Sequence, residues 1–263
     1  EDWSKKRFED VEAAFADLSA SLGLTVIVCV PVSARRGDNV VRKGGADWWT
    51  GPALIDLIER GGRNRKYNDA PLRLPVQALI RDGITRLYAG RVELGAVRPG
   101  DTVVAGPQRQ PATVASVRIG GRSVNAAEAG DSVAIELCEE RDITRGDVIS
   151  APDVRYVRNV VADLCWLDED GWTKGRRYVL RQGALETQAF IDDVNFVHDV
   201  ADFSRREHAY ALKLNDIANV RVSTRDLILG DLYADAPGVG SFVLFNPLTN
   251  QTCAAGMIRE AVS

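Results

Sequence analysis

The sequence has little of what marks several large protein classes. No apolar run reaches the eighteen residues that span a bilayer, and no basic segment followed by an apolar stretch opens the chain. Two histidines and four widely separated cysteines, without a C-x-x-C pair, predict neither a disulfide framework nor a metal site. A formal net charge of −4 argues against a binder of duplex nucleic acid. We therefore expect a cytoplasmic protein without membrane, metal or nucleic-acid binding, whose cysteines are buried free thiols.

The first sixty residues have the pattern of an α/β layer. Apolar residues recur at three- and four-residue steps from 4 to 22, which predicts an amphipathic helix closed by Gly23. The continuous apolar run 24–30 predicts a buried parallel strand. A polar loop follows, and then a second helix that starts at Pro52. This layer is too small to cover both faces of a sheet, so we expect its remainder to lie N-terminal to this chain.

After a polar, glycine-rich linker the hydrophobic pattern changes to period two. Alternating apolar and polar residues, interrupted by glycine-containing turns, predict many short antiparallel strands. One strand is expected at 210–214, and the last is expected to end at 256–258. We predict a mainly β chain with two β-barrels. Its predicted segments are 1–62 (end of an α/β domain), 63–70 (linker), 71–152 (first barrel) and 153–263 (second barrel).

Residues 88–104 form the most informative motif. Val92 and Leu94 are predicted to point to one side of a strand, and Arg91 and Glu93 to the other, before a Pro-Gly-Asp turn. The pattern G-x-V-x-x-G-x-V-x-x-G-D could belong to any antiparallel hairpin. It also resembles the second domain of translational GTPases.

Further segments extend this resemblance along the chain. Ser33-Ala34, directly after the predicted strand, is similar to the guanine-contacting motif at the end of GTPase domains, although an ordinary loop would have the same composition. The segment 47–54, DWWTGPAL, indicates simple aromatic packing by itself. Together with 142–149 and 240–258, however, it resembles the large, GTP-binding subunit of bacterial sulfate adenylyltransferase (ATP sulfurylase) in order and spacing.

That resemblance implies a function in sulfate assimilation. In the family, a small partner subunit forms adenylyl sulfate from ATP and sulfate, and GTP hydrolysis by the large subunit drives the reaction. GTP and Mg²⁺ are the implied cofactors of the complete protein, in a heterodimer or larger assembly that allows a fused or associated adenylylsulfate kinase. Ser33, Ala34 and Arg35 are the implied guanine contacts, and no catalytic residue is expected in this chain.

The phosphate-binding motif G-x-x-x-x-G-K-[ST] and the base-specificity motif N-K-x-D are both absent from the 263 residues. We therefore interpret 1–62 as the α/β remnant of a P-loop GTPase domain, and expect this chain alone not to bind GTP. Two other functions stay open. One is a translation elongation factor of the Tu or 1-alpha type that binds aminoacyl-tRNA, and the other is a β-barrel interaction module without a GTPase.

Overall fold

The chain forms two compact units, Glu1–Asn64 and Arg65–Ser263. The structure is a computed structural model that describes residues 2–21, 27–60, 67–199, 204–207 and 211–262. All the helices among these residues lie in the first unit, and all the strands lie in the second. The predicted fold class, mainly β with two barrels after a smaller N-terminal segment, is confirmed. The predicted limits of the four segments remain predictions.

The N-terminal unit contains helices α1 (Lys5–Ser21) and α2 (Leu54–Arg60). Helix α1 matches the periodic segment closely, and the Ser4 hydroxyl accepts a hydrogen bond from the Arg7 N–H at 3.3 Å, as an N-cap residue does. Its predicted C-terminal cap, Gly23, lies outside the described residues. Helix α2 begins two residues later than Pro52.

The predicted buried strand at 24–30 is wrong where it can be compared. Residues 24–26 lie outside the described residues, and 27–30 are not in a strand, with Val28 54% exposed. A buried parallel strand needs hydrogen-bonded neighbours on both sides. The described part of this unit contains nothing longer than single β-bridges, so residues 27–30 have no sheet to join.

The second unit begins with a closed barrel of six antiparallel strands. Strands β4, β9, β1, β2, β8 and β5 pair in that order, and β5 returns to β4. Short strand β6 pairs with β5 outside the closed ring, and β3 pairs with β7. The nine strands are β1 (Arg73–Asp82), β2 (Thr85–Arg91), β3 (Ala96–Val97), β4 (Thr102–Ala105), β5 (Gln110–Ile119), β6 (Arg122–Val124), β7 (Ala127–Glu128), β8 (Ser132–Leu137) and β9 (Val148–Ser150).

A second six-stranded barrel follows. Strands β11, β15, β16, β10, β14 and β12 pair in that order, and β12 closes the barrel by pairing with β11. Short strand β13 pairs with β12 outside the closed ring. No α-helix lies among the described residues of this unit. The seven strands are β10 (Tyr156–Trp166), β11 (Arg177–Gln182), β12 (Leu185–His198), β13 (Arg205–Glu207), β14 (Ile217–Leu229), β15 (Ser241–Phe245) and β16 (Thr252–Val262).

Glycines at two positions explain the local shape of the first barrel. Gly100 has φ +93° in the predicted Pro-Gly-Asp turn, a conformation that side chains with a Cβ rarely adopt. A Cβ at Gly90 would lie 2.1 Å from the carbonyl oxygen of Pro75, so β1 and β2 can approach this closely only with glycine. A shift in strand register between Val76 and Ala78 accompanies that close approach.

Several detailed expectations about the second unit were wrong. Strand β2 ends at Arg91, so residues 92–94 do not continue it, although Val92 and Leu94 are buried and Arg91 is exposed, as their alternation predicted. Of the predicted strand 210–214, Tyr210 lies outside the described residues and 211–214 are irregular. The last strand continues past 258 to Val262, because Glu260 to Val262 still pair with β10.

The cysteines only partly follow the expectation of buried thiols. All four are free, but Cys253 alone is fully buried, Cys29 and Cys165 are half-buried, and Cys138 is exposed. Cys138 follows the last residue of β8, and the alternation of a strand turns its side chain outward.

An apolar cluster joins the two barrels within the second unit. It comprises Leu94, Val104 and Val148 of the first barrel together with Val154, Leu229, Ala236 and Val239 of the second, all at most 8% exposed. Each barrel also has its own core. The two barrels are therefore held together by a third core, which supplies hydrophobic stabilisation in proportion to its buried area.

Candidate functional site

The predicted base-contact residues lie in a tight turn of the N-terminal unit. The Ser33 N–H donates to the Asp38 carbonyl at 3.1 Å, and the Gly37 N–H donates to the Ser33 carbonyl at 2.7 Å. The Ser33 hydroxyl also accepts from the Arg36 N–H at 3.3 Å. Gly37 has φ +80°, so the turn needs glycine there. Ser33 therefore closes the turn with its main chain and its side chain.

This turn leaves part of its backbone unpaired. In the described part of the chain, the N–H groups of Ala34 and Arg35 donate to no acceptor, and both residues are exposed. Two adjacent unpaired amides in a fixed turn are suited to a ligand oxygen, because their hydrogen-bonding capacity is otherwise met only by water.

A groove of about 830 Å³ lies beside this turn within the N-terminal unit. Ser33, Arg35 and Arg36 line one part of it, and Phe8 and Trp48 line another. Ala34 is not among the lining residues. Arg7 lines it as well, so the groove combines aromatic surface with three cationic side chains, a combination that fits a flat, electron-rich ligand.

The paired tryptophans form an aromatic cluster with α1, which confirms the packing role expected for them. The Phe8 ring centroid lies 5.3 Å from that of Trp48 and 5.7 Å from that of Trp49. The indole N–H of Trp48 donates to the Trp3 carbonyl at 2.6 Å. The sequence did not predict that Phe8 and Trp48 would line the groove beside Ser33, because their separation in the chain hides this proximity.

Asn39 is the residue of this loop that the sequence analysis missed. It is 1% exposed, and its side chain contacts two distant parts of the loop. The carbonyls of Asn39 and Val40 accept the N–H groups of Leu54 and Ile55 at 2.9 and 3.0 Å, and the Asp56 carboxylate accepts that of Ala53. These bonds cap α2 and explain why it begins at Leu54.

A buried ion pair of the second unit lies where the barrels meet. The Arg73 guanidinium donates from Nε to both oxygens of Asp231, at 3.2 and 3.0 Å, and from Nη1 to Asp153 at 3.2 Å. Burial by itself lowers the pKa of Arg73, but the hydrogen bonds to Asp231 and Asp153 more than offset it and raise the pKa above its usual value. Arg73 is 4% exposed, so this is a buried, charge-assisted contact.

Glu93 is a second charged group in this region. Its carboxylate lies so close to Gly238 of the second barrel that a Cβ there would be 2.0 Å from Oε2. Burial raises the pKa of Glu93, and the charge of Arg91 offsets this only in part. The sequence did not predict that this carboxylate would lie beside the second barrel.

Known proteins are similar to this chain in fold and in sequence. Residues 159–259, which cover most of the second barrel, match the family described as GTP-eEF1A C-terminal domain-like. The crystal structure of Sup35 complexed with GDP superimposes with a TM-score of 0.72 at 18% identity, covering 100% of this chain and 66% of that one. This likeness shows the fold.

Sequence similarity to curated proteins is higher and extends over the whole chain. Sulfate adenylyltransferase subunit 1 of Vibrio campbellii is 32% identical over 267 residues, which cover 100% of this chain. The chain is similar to sulfate adenylyltransferase subunit 1 along its whole length. NodQ, a bifunctional enzyme of Rhizobium sp. (strain N33), is 34% identical over 259 residues, covering 97% of this chain.

The chain spans 56% of the Vibrio subunit 1 sequence and 40% of NodQ. Across the described ranges, neither helix has the length and apolar character of a membrane-crossing segment.

Proposed function

We propose that this chain is part of the GTP-binding subunit of a sulfate adenylyltransferase. In this function, GTP hydrolysis is coupled to the formation of adenylyl sulfate from ATP and sulfate in cytoplasmic sulfate assimilation. The observation that carries the proposal is the similarity to sulfate adenylyltransferase subunit 1 along the entire chain, at 32% identity over 267 residues.

The turn at Ser33 supports a nucleotide ligand. Ser33, Ala34 and Arg35 would hold the guanine base, since the unpaired N–H groups of Ala34 and Arg35 are suited to the oxygen of that base. GTP and Mg²⁺ would supply the driving reaction in the complete protein. No residue of this chain is assigned to the phosphates, and we expect the chain alone not to hold GTP.

The proposed partner is a small adenylyltransferase subunit that binds ATP and sulfate. The name subunit 1, which the relatives carry, supports an assembly with a second kind of subunit. The expected assembly is a heterodimer or larger, with an adenylylsulfate kinase either fused or associated. Under this proposal the two barrels transmit the nucleotide state to the partner, which requires an element with two arrangements that both sites bias.

The test is a reconstitution. The full-length protein that contains this chain is co-expressed with the small adenylyltransferase subunit of the same organism, and the complex is purified through a tag on the small subunit. We expect the two to co-purify and GTP to raise the rate of adenylyl sulfate formation, with GDP as the control nucleotide. Co-purification without any difference between GTP and GDP would contradict the coupling, and failure to co-purify would contradict the partner.

A second function has specific support. The match of residues 159–259 to the eEF1A C-terminal description, and the shared fold with Sup35, are what a translation elongation factor of the Tu or 1-alpha type would also have. Such a factor would bind aminoacyl-tRNA. Purification of the full-length protein with bound tRNA, released by ribonuclease, would favour this alternative over the sulfate enzyme.

A further inference from the structure

We infer that Asn39 is the positioning residue that holds the Ser33-Ala34 turn in place for guanine selection. The inference rests on the proposed function, since it assigns a role in the same nucleotide site. Asn39 lies outside the groove lining, so it acts through the loop and not by contact with the base. The inference goes beyond the motif itself, because it identifies what fixes the position of the motif in the loop.

The side chain of Asn39 connects the two ends of the loop. Its Nδ2 donates to the Pro31 carbonyl at 2.9 Å, and its Oδ1 accepts from the Gly44 N–H at 2.9 Å. Pro31 lies two residues before Ser33, and Gly44 follows the loop. The amide therefore fixes the entry of the loop relative to its exit, and both of its bonds are shielded from water because the residue is 1% exposed.

The main chain of Asn39 makes two more hydrogen bonds. Its N–H donates to the Arg42 carbonyl at 2.8 Å, and its carbonyl accepts from the Leu54 N–H at 2.9 Å. Asn39 has φ +55°, in the left-handed region that asparagine tolerates better than most residues with a Cβ. One residue thus ties together the start of the turn, the end of the loop and the first turn of α2.

Asparagine alone combines what this position needs. Glycine would accept the backbone conformation but would remove both side-chain bonds. Aspartate would keep an acceptor for the Gly44 N–H, but would place a carboxylate against the Pro31 carbonyl with no proton to donate. Both substitutions at Asn39 therefore release Pro31, and with it the position of Ser33, while leaving the residues of the turn unchanged.

The experiment compares two nucleotides that differ at one edge of the base, where guanine has the 6-oxygen and a hydrogen on N1 and 2-aminopurine has neither. GTP carries the 6-oxygen that the turn is proposed to contact, whereas 2-aminopurine riboside triphosphate lacks it and keeps the sugar and phosphates. Dissociation constants for both are measured on the full-length wild-type protein and on Asn39→Gly and Asn39→Asp. Asn215→Gly is the matched control, because Asn215 is an exposed asparagine with φ +69° in the second unit.

We expect Asn39→Gly to weaken GTP binding about tenfold, which corresponds to the loss of roughly one to two buried hydrogen bonds. Asn39→Asp should lose at least as much. Binding of the 2-aminopurine nucleotide should change less than about twofold in both variants, and Asn215→Gly should match the wild type.

Equal weakening of both nucleotides would overturn the inference, because a merely structural asparagine would reduce all nucleotide binding alike. Unchanged GTP binding in the folded Asn39 variants, as judged by circular dichroism, would overturn it as well. If the wild-type protein binds neither nucleotide, the proposed function fails and the inference falls with it. If the wild type prefers GTP but the variants keep that preference, only the role of Asn39 is rejected.

Discussion

The buried contact between Arg73 and Asp231 leads to the sharpest stability prediction. Replacing Arg73 by methionine keeps most of the apolar stem but removes the charge. The side chain of Asp231 is only 17% exposed and would lose its counter-charge. Removing one partner of a buried ion pair costs about 3–5 kcal/mol. Because Asp231 retains some access to water, we expect about 3 kcal/mol, at the lower end of that range.

Asp153 provides the matched control. It bonds the same guanidinium at 3.2 Å, but its side chain is 52% exposed. Exposed ion pairs contribute about 0–1 kcal/mol, so Asp153→Asn should cost less than about 1 kcal/mol. The double variant Arg73→Met/Asp231→Asn should regain part of the loss, because it no longer buries an unpaired carboxylate.

Urea unfolding of the full chain, followed by far-UV circular dichroism, measures these changes. The described strands all lie in the second unit, so the strand part of this signal reports on the barrels, whereas the helix part reports on the N-terminal unit. The reasoning would be refuted if Arg73→Met cost less than about 1 kcal/mol, or if Asp153→Asn cost as much as Arg73→Met. Either result would mean that water, and not Asp231, compensates the guanidinium charge.

Three further predictions follow from single groups. Burial raises the pKa of Glu93, so protonation stabilises the fold fully below about pH 4.3 and this contribution is lost as pH rises through the folded-state pKa. Glu93→Gln should therefore raise the melting temperature at pH 7 but not at pH 4, and a lower melting temperature at pH 7 would contradict this. Burial, followed by the hydrogen bond to Asp168, raises the pKa of the Cys253 thiol to about 12, so a thiol reagent should modify exposed Cys138 in the native chain and Cys253 only after unfolding. Finally, the 263-residue chain should show no saturable binding of a fluorescent GDP analogue at micromolar concentrations, and clear binding would mean that these residues do hold the phosphates.

The barrels were predictable because their strands carry local signals. Val160, Ala162, Leu164 and Trp166 alternate along one strand, and all four are fully buried in the second barrel. Glycine turns such as that at Gly100 adopt the positive φ that the sequence pattern indicated. Period-two alternation and turn glycines depend only on neighbours in the chain, so a single sequence suffices to read them.

The expectations that failed depended on partners distant in sequence. An apolar run at 24–30 has the composition of a buried strand, but a strand exists only where another strand bonds to it. Leu212 is fully buried although it lies outside any strand. In the sequence, this apolar residue looked like a residue of an alternating strand. Likewise, no local pattern records that the Glu93 carboxylate lies beside Gly238 of the second barrel.

The candidate site was likewise predictable from the sequence only in part. Ser33, Ala34 and Arg35 could be named from a short motif, and the structure brings Ser33 and Arg35 to one groove wall. The role of Asn39 could not be named, because its bonds reach Pro31, Gly44 and Leu54, which are five to fifteen positions away. The signal available in the sequence was the asparagine directly after Gly37-Asp38, since asparagine is common in turns.

The third core between the barrels has a practical consequence for anyone who wishes to study them separately. A cut near residue 152 would divide the seven apolar residues of this core between two fragments. Each fragment would then expose to water an apolar surface that is buried in the intact chain. Each fragment would also inherit one side of the Arg73–Asp231 contact as an unmatched charge. Single barrels, whether made by proteolysis or by expression, should therefore aggregate and have low solubility. A fragment that begins near residue 65 should instead be soluble and contain both barrels.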